Sequence, residues 1–132
     1  MKIKYPTIDD LIFINKRIIE TTKVTKAEKH GLLANVKVLE NIIKEVEKTK
    51  GSIYNKATVL LTELVQKHPF ESGNRRTAFI ATLDFLEVNK VKVNLNTGKV
   101  ENILRGTREG FYNLKEISNW LKGGDIREFK RE

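Results

Sequence analysis

The chain has 132 residues, a formal net charge of +8, 39% hydrophobic and 32% charged residues, and no cysteine. That length predicts one ordinary domain, residues 1–132, with a soluble globular balance rather than a disordered or membrane one. The lack of thiols excludes disulfides, thiolate zinc sites and a cysteine nucleophile, so catalysis must come from other groups.

In chain order, Thr7-Ile8-Asp9-Asp10 reads as a capping box opening a helix with Leu11, Ile12, Ile14, Ile18 and Ile19, ending near Thr22. The residues Leu33, Val36, Val38, Leu39, Ile42, Ile43 and Val46 recur at helical spacing and predict a second helix that runs out at Thr49-Lys50-Gly51. Ser52 caps a third, whose buried face is Ile53, Ala57, Leu60, Leu61, Leu64 and Val65. It stops before Pro69, because a residue preceding proline is pushed out of the α region. A fourth helix opens near Asn74 and is apolar on most sides, with Ala78, Phe79, Ala81, Leu83, Phe85, Leu86 and Val88; it is expected to be the central, most buried one. Val91–Leu95 alternates too briefly to build a sheet, and Thr97 is the expected cap of a short helix with Val100, Ile103 and Leu104. Asn113 and Glu116 form another capping box, leading Ile117, Trp120 and Leu121 into a last helix. The expected fold is an all-α compact bundle of about six helices.

No apolar stretch is long enough to span a membrane, and the N-terminus lacks the order of a signal peptide, so a cytoplasmic location is expected. The positive charge favours anionic partners. Its lysines and arginines are scattered, however, with glutamates between them as in Lys44-Glu45-Val46-Glu47-Lys48, the pattern of a solvated helix face. No aromatic residues interleave with a basic stripe, and no nucleic-acid partner is expected. His30 reads as a surface or capping histidine, and Trp120 and Tyr112 as core and rim.

One segment stands apart: His68-Pro69-Phe70-Glu71-Ser72-Gly73-Asn74-Arg75-Arg76-Thr77-Ala78, between two apolar helices. Gly73 permits a tight turn with exposed N–H groups, and the following helix N-terminus adds free donors and a positive dipole end, which together favour a bound anion. Arg76 can add a bidentate contact to a phosphate oxygen. His68 stands close enough to serve as a proton acceptor near neutral pH. By spacing alone a plainer account is the stronger: Gly73 as a turn residue, Asn74 as N-cap, His68 satisfying helix carbonyls, and two arginines in solvent.

Residues 68–78, with Leu60–Lys67 before them and Phe79–Leu86 after them, resemble the signature of the Fic/Doc family. The resemblance implies an all-α bundle with the signature loop between two central helices. It also implies transfer of part of a nucleotide onto a protein hydroxyl, AMP in the Fic branch and the terminal phosphate of ATP in the Doc toxin branch. Carried onto this sequence, it makes His68 the general base, Gly73, Asn74 and Arg75 the lining of the phosphate nest, and Arg76 the grip on phosphate oxygens. Phe70 then anchors the loop and Pro69 shapes its entry.

Three positions depart from the Fic pattern. A glycine usually follows the motif's asparagine and a second arginine follows three residues after the first, where this chain has Arg75 and Phe79. Both changes resemble the Doc branch. Ser72 replaces the usual Asp or Glu that coordinates Mg2+, and Glu71 is the neighbouring candidate; either the metal is held chiefly by nucleotide and water, or the member has lost activity. The family's self-inhibitory pattern is not found, which suits inhibition in trans by a small antitoxin. The readings that follow are, in order, Doc-like transfer of the ATP γ-phosphate to a target protein in translation, AMP transfer, a catalytically silent nucleotide- or partner-binding module, and a basic nucleic-acid binder.

Overall fold

The computed structural model describes residues 2–21 and 34–130. Six helices account for its regular structure: α1 (Ile8–Thr21), α2 (Val36–Lys48), α3 (Ile53–Lys67), α4 (Asn74–Val88), α5 (Val100–Arg108) and α6 (Leu114–Leu121), with no strand among the described residues. The expected all-α bundle of about six helices is the observed one. His30 and Leu33 lie outside the described residues.

Several helix ends form where the sequence places them, for the reasons expected. The Thr7 hydroxyl accepts from the Asp10 N–H at 3.0 Å while the Asp10 carboxylate accepts from the Thr7 N–H at 2.9 Å. Asn113 and Glu116 close the same reciprocal pair at the start of α6, and the Ser52 side chain caps α3. Each cap satisfies N–H groups that the first helical turn leaves without partners. Helix α2, for which no cap is predicted, is capped by Asn35, which accepts from the Val38 N–H. One start differs from expectation. Lys99, not Thr97, is the N-cap residue of α5, and it makes no side-chain cap hydrogen bond.

The centre of the bundle is α3 rather than α4. Helix α3 packs against α2, α4, α5 and α6, whereas α4 packs chiefly against α3 and α1. The reason lies in the faces. In α3 Lys56, Ala57, Thr58, Leu60, Leu61, Leu64 and Val65 are all buried, so apolar contacts surround much of its circumference. In α4 the core takes Ala78, Ala81, Phe85 and Leu86, but Ile80 and Val88 are 43% and 42% exposed. Burial of the α3 side chains, with Leu11, Leu39, Trp120 and Leu121 from its surroundings, supplies the main hydrophobic driving force.

A buried lysine ties α2 to α3. The Lys56 ammonium donates to the carbonyls of Val46 (3.3 Å), Glu47 (3.1 Å) and the C-cap residue Thr49 (2.6 Å) at the C-terminal end of α2, sharing the Val46 oxygen with the Thr49 N–H. It thus serves as a C-terminal cap from another helix, placed where the α2 dipole favours a cation. No helix among the described residues is long and apolar enough to cross a membrane.

Candidate active site

The loop between α3 and α4 is built by two residues with left-handed backbone. His68 ends α3 at φ 50°, ψ 57°, and Gly73 is the N-cap residue of α4 at φ 75°. The first is a non-glycine in a sparsely populated region, a strain of order 1 kcal/mol or more that the surrounding packing must hold. Gly73 could not be replaced cheaply: besides its φ, a Cβ there would come within 3.0 Å of Ile19 Cδ1 and 3.2 Å of Asn15 Nδ2. The loop is therefore pressed against α1.

Asn74 is the first helical residue of α4 and not its cap. Its side chain turns back into the loop, where Oδ1 accepts from the Phe70 N–H at 3.0 Å and Nδ2 donates to the Phe70 carbonyl at 2.9 Å. This double contact pins Phe70, whose ring is buried in the core, so Phe70 anchors the loop. Pro69 is buried too, and its carbonyl accepts from the Asn35 N–H at 2.7 Å, tying the loop to the start of α2.

The described structure brings His68, Glu71, Ser72, Gly73, Asn74, Arg75 and Arg76 to the wall of one cleft of 310 Å3, joined there by Ile19, Glu101 and Arg108. All the sequence-derived site residues except Pro69 and Phe70 line it, and those two are buried. The cleft lies at the N-terminus of α4, where the N–H groups of the first turn have no helical acceptors and favour an anion. Arg76 is exposed and makes no ion pair among the described residues, while Arg75 meets Glu101 Oε1 at 3.0 Å. Glu71 and Ser72 both face the cleft, Glu71 exposed and Ser72 half-buried. Among the described residues no group of three or more His, Asp or Glu could hold a metal ion by itself. Phe79 is directed elsewhere, stacked on Trp120 with ring centroids 6.3 Å apart.

Three contributors are absent from the motif. Asn15 of α1, fully buried, donates from Nδ2 to the Ser72 carbonyl (2.9 Å) and to Thr77 Oγ1 (3.1 Å), holding the loop from the opposite side. One signal for it exists in the sequence: Asn15 lies on the Leu11–Ile19 stripe, a polar residue at helical spacing between two buried ones. Arg108 and Glu101 of α5 have no such signal. The Gln66 amide donates to the Thr107 carbonyl at 2.9 Å, docking the end of α5 against the end of α3 and setting Arg108 beside the cleft.

The electrostatics follow from this packing. The His68 pKa is lowered below its ordinary value of 6.5, first by desolvation and then by the positive charges of Arg108 and Arg75. The imidazole is thus held neutral near pH 7, the form able to accept a proton.

A Fic/DOC family model matches residues 5–86, from just before α1 almost to the end of α4. Comparison with curated protein sequences gives no match. The matched stretch covers well over half of the 132 residues and contains the whole histidine, glycine and arginine loop with α3 and nearly all of α4, and on that ground the chain belongs to the Fic/DOC family.

Proposed function

We propose that the protein is a Doc-like transferase that moves the γ-phosphoryl group of ATP onto a hydroxyl of a target protein, by analogy a component of the translation machinery. Family members transfer nucleotide-derived groups onto proteins, and the observation that carries the proposal is the single cleft shared by His68, the α4 N-terminus, Arg75 and Arg76. In the reaction the acceptor oxygen bonds to the γ-phosphorus, and the bond from that phosphorus to the β,γ-bridging oxygen breaks. ADP leaves with the electron pair, and the acceptor proton passes to His68. The N–H groups at Gly73 and Asn74 and the Arg76 guanidinium stabilise the equatorial oxygens.

Arg75, where Fic members have glycine, and Phe79, half-buried against Trp120 where they have a second arginine, both support phosphoryl over AMP transfer. A Mg2+ ion suits the donor set only as a partner of the nucleotide. Glu71 is the cleft carboxylate without an ion pair among the described residues, with Ser72 beside it, and Mg2+ characteristically takes one or two carboxylates with phosphate oxygens and water. The ion's contribution when bound is to neutralise phosphate charge. Ser72 also supports a rival, a catalytically silent nucleotide-binding member. A cytoplasmic setting and a small antitoxin acting in trans belong to the same proposal.

Transfer from ATP labelled separately at the α- and γ-phosphates, with a cell lysate as acceptor, tests the proposal. Protein labelled only from the γ-position is the expected result. Label from the α-position replaces it with AMP transfer, and nucleotide binding without transfer replaces it with the silent module.

A further inference from the structure

Helix α5 lies beyond the stretch that matches the family model, so its side chains inherit no role from the signature. Arg105 and Arg108 are three residues apart, which places both on one face of α5. That face borders a second cleft, of 490 Å3, whose wall is Arg75, Asn102, Arg105, Arg108, Glu109 and Phe129. Arg75 and Arg108 also line the signature cleft with His68, so the two spaces share a wall of guanidinium groups.

The charges of this wall are unevenly answered. Glu101 Oε1 meets Arg75 at 3.0 Å and Arg105 at 3.4 Å, so one carboxylate serves two arginines. Arg108 makes no ion pair among the described residues. The signature cleft alone, at 310 Å3, is at the low end of the roughly 300–1,000 Å3 range of small-molecule sites. A nucleoside triphosphate held there by one phosphate has little room within that volume, and the adjoining space is the second cleft, where three arginines stand with one carboxylate, Glu109.

We propose that the cleft formed by Arg75, Arg105 and Arg108 is a second anion subsite, which takes the phosphates of the polyphosphate chain that do not sit at the α4 N-terminus, with Arg108 as its principal contact. The inference rests on the nucleotide-transferase reading. Arg108 supplies from α5 a guanidinium that the position of Phe79 does not. Glu101 is a resident competitor: its carboxylate occupies two guanidinium groups that an entering phosphate can take over, since Arg binds carboxylate and phosphate through the same planar fork.

Binding of inorganic phosphate, pyrophosphate and tripolyphosphate to the full chain, measured calorimetrically, reads the subsite without reference to base or transfer. Affinity rises with chain length in the parent. In Arg108→Gln the preference for tripolyphosphate over phosphate falls about tenfold or more, the scale of a charge-assisted contact, and Arg108→Lys recovers part of it. Glu101→Gln moves the other way and strengthens tripolyphosphate binding. Arg108 and Glu101 are exposed, and thermal melting verifies that the variants fold. A parent that binds tripolyphosphate no tighter than phosphate overturns the subsite, as does an Arg108→Gln variant that keeps the parental preference. An Arg108→Gln variant that loses binding of an acidic peptide but not of tripolyphosphate also overturns it, in favour of an acceptor-protein contact. Label transfer from ATP is measured separately, so the subsite can fail while the transferase reading stands; absence of ATP binding in the parent ends both.

Discussion

His68 Nδ1 lies 3.2 Å from Asn74 Nδ2, and the direction of that contact is set from the far side of the amide. Asn74 Oδ1 is committed to the Phe70 N–H, which can only donate, so Nδ2 must face His68 and donate to Nδ1. A neutral His68 in this arrangement carries its proton on Nε2, and its lone pair, on Nδ1, is occupied by Asn74. To take a proton from an acceptor hydroxyl, either Nδ1 is released or the ring proton moves to Nδ1; in both cases the Asn74 contact opens.

Nitrogen-15 NMR of the histidine side chains, with His30→Gln to assign them, is expected to show neutral His68 in the Nε2–H form. Asn74→Ala should then yield a mixture of tautomers. A dominant Nδ1–H signal in the parent would contradict the Asn74 orientation.

The pH–rate profile should place the acid limb of transfer below 6.5, because desolvation, Arg108 and Arg75 disfavour the imidazolium. Arg108→Gln removes one of those charges and should move the limb upward. The sign for stability is the same: the folded pKa lies below the unfolded one, so the His68 contribution is complete above 6.5 and is lost as pH falls through the folded value. An acid limb at or above 6.5 for the parent would remove the electrostatic role of α5.

Asn15→Ala strips the Ser72 carbonyl and Thr77 hydroxyl of a buried donor, and should cost about 2 kcal/mol of stability. Transfer should drop further than this loss explains when assayed well below the melting temperature, since the loop loses its support from α1. Hydrogen exchange accelerated at residues 72–77 more than elsewhere would mark the effect as local.

Lys56→Met keeps the apolar stem but leaves the C-terminal carbonyls of α2 without their cation, and should destabilise the chain by about 2–3 kcal/mol. Urea unfolding measures it. A neutral result would mean that water replaces the ammonium.

Ser72→Asp adds a carboxylate beside Glu71 and should lower the Mg2+ concentration needed for half-maximal transfer. Should parent and variant share one titration curve, Glu71 holds the ion without help from position 72.

Local rules made much of this molecule legible in its sequence. The capping boxes at Thr7 and Asn113, the Ser52 cap and the stop before Pro69 depend on neighbours within a few residues, and they form as the sequence implies. The same holds for the signature, where His68 and Arg76 are close in space because they are close in the chain. Tertiary structure decided what the chain cannot encode at short range. Helix α3 became the hub because four neighbours bury it, a choice the apolar circumference of α4 obscured. Asn74 became a clamp rather than a cap because Phe70 and His68 offered it partners once the loop closed. Arg108 reaches His68 only through the docking of α5 on α3, forty residues away in sequence, and no periodicity or motif records that contact, because a guanidinium on a solvated helix looks the same in the sequence whether or not a cleft lies beside it.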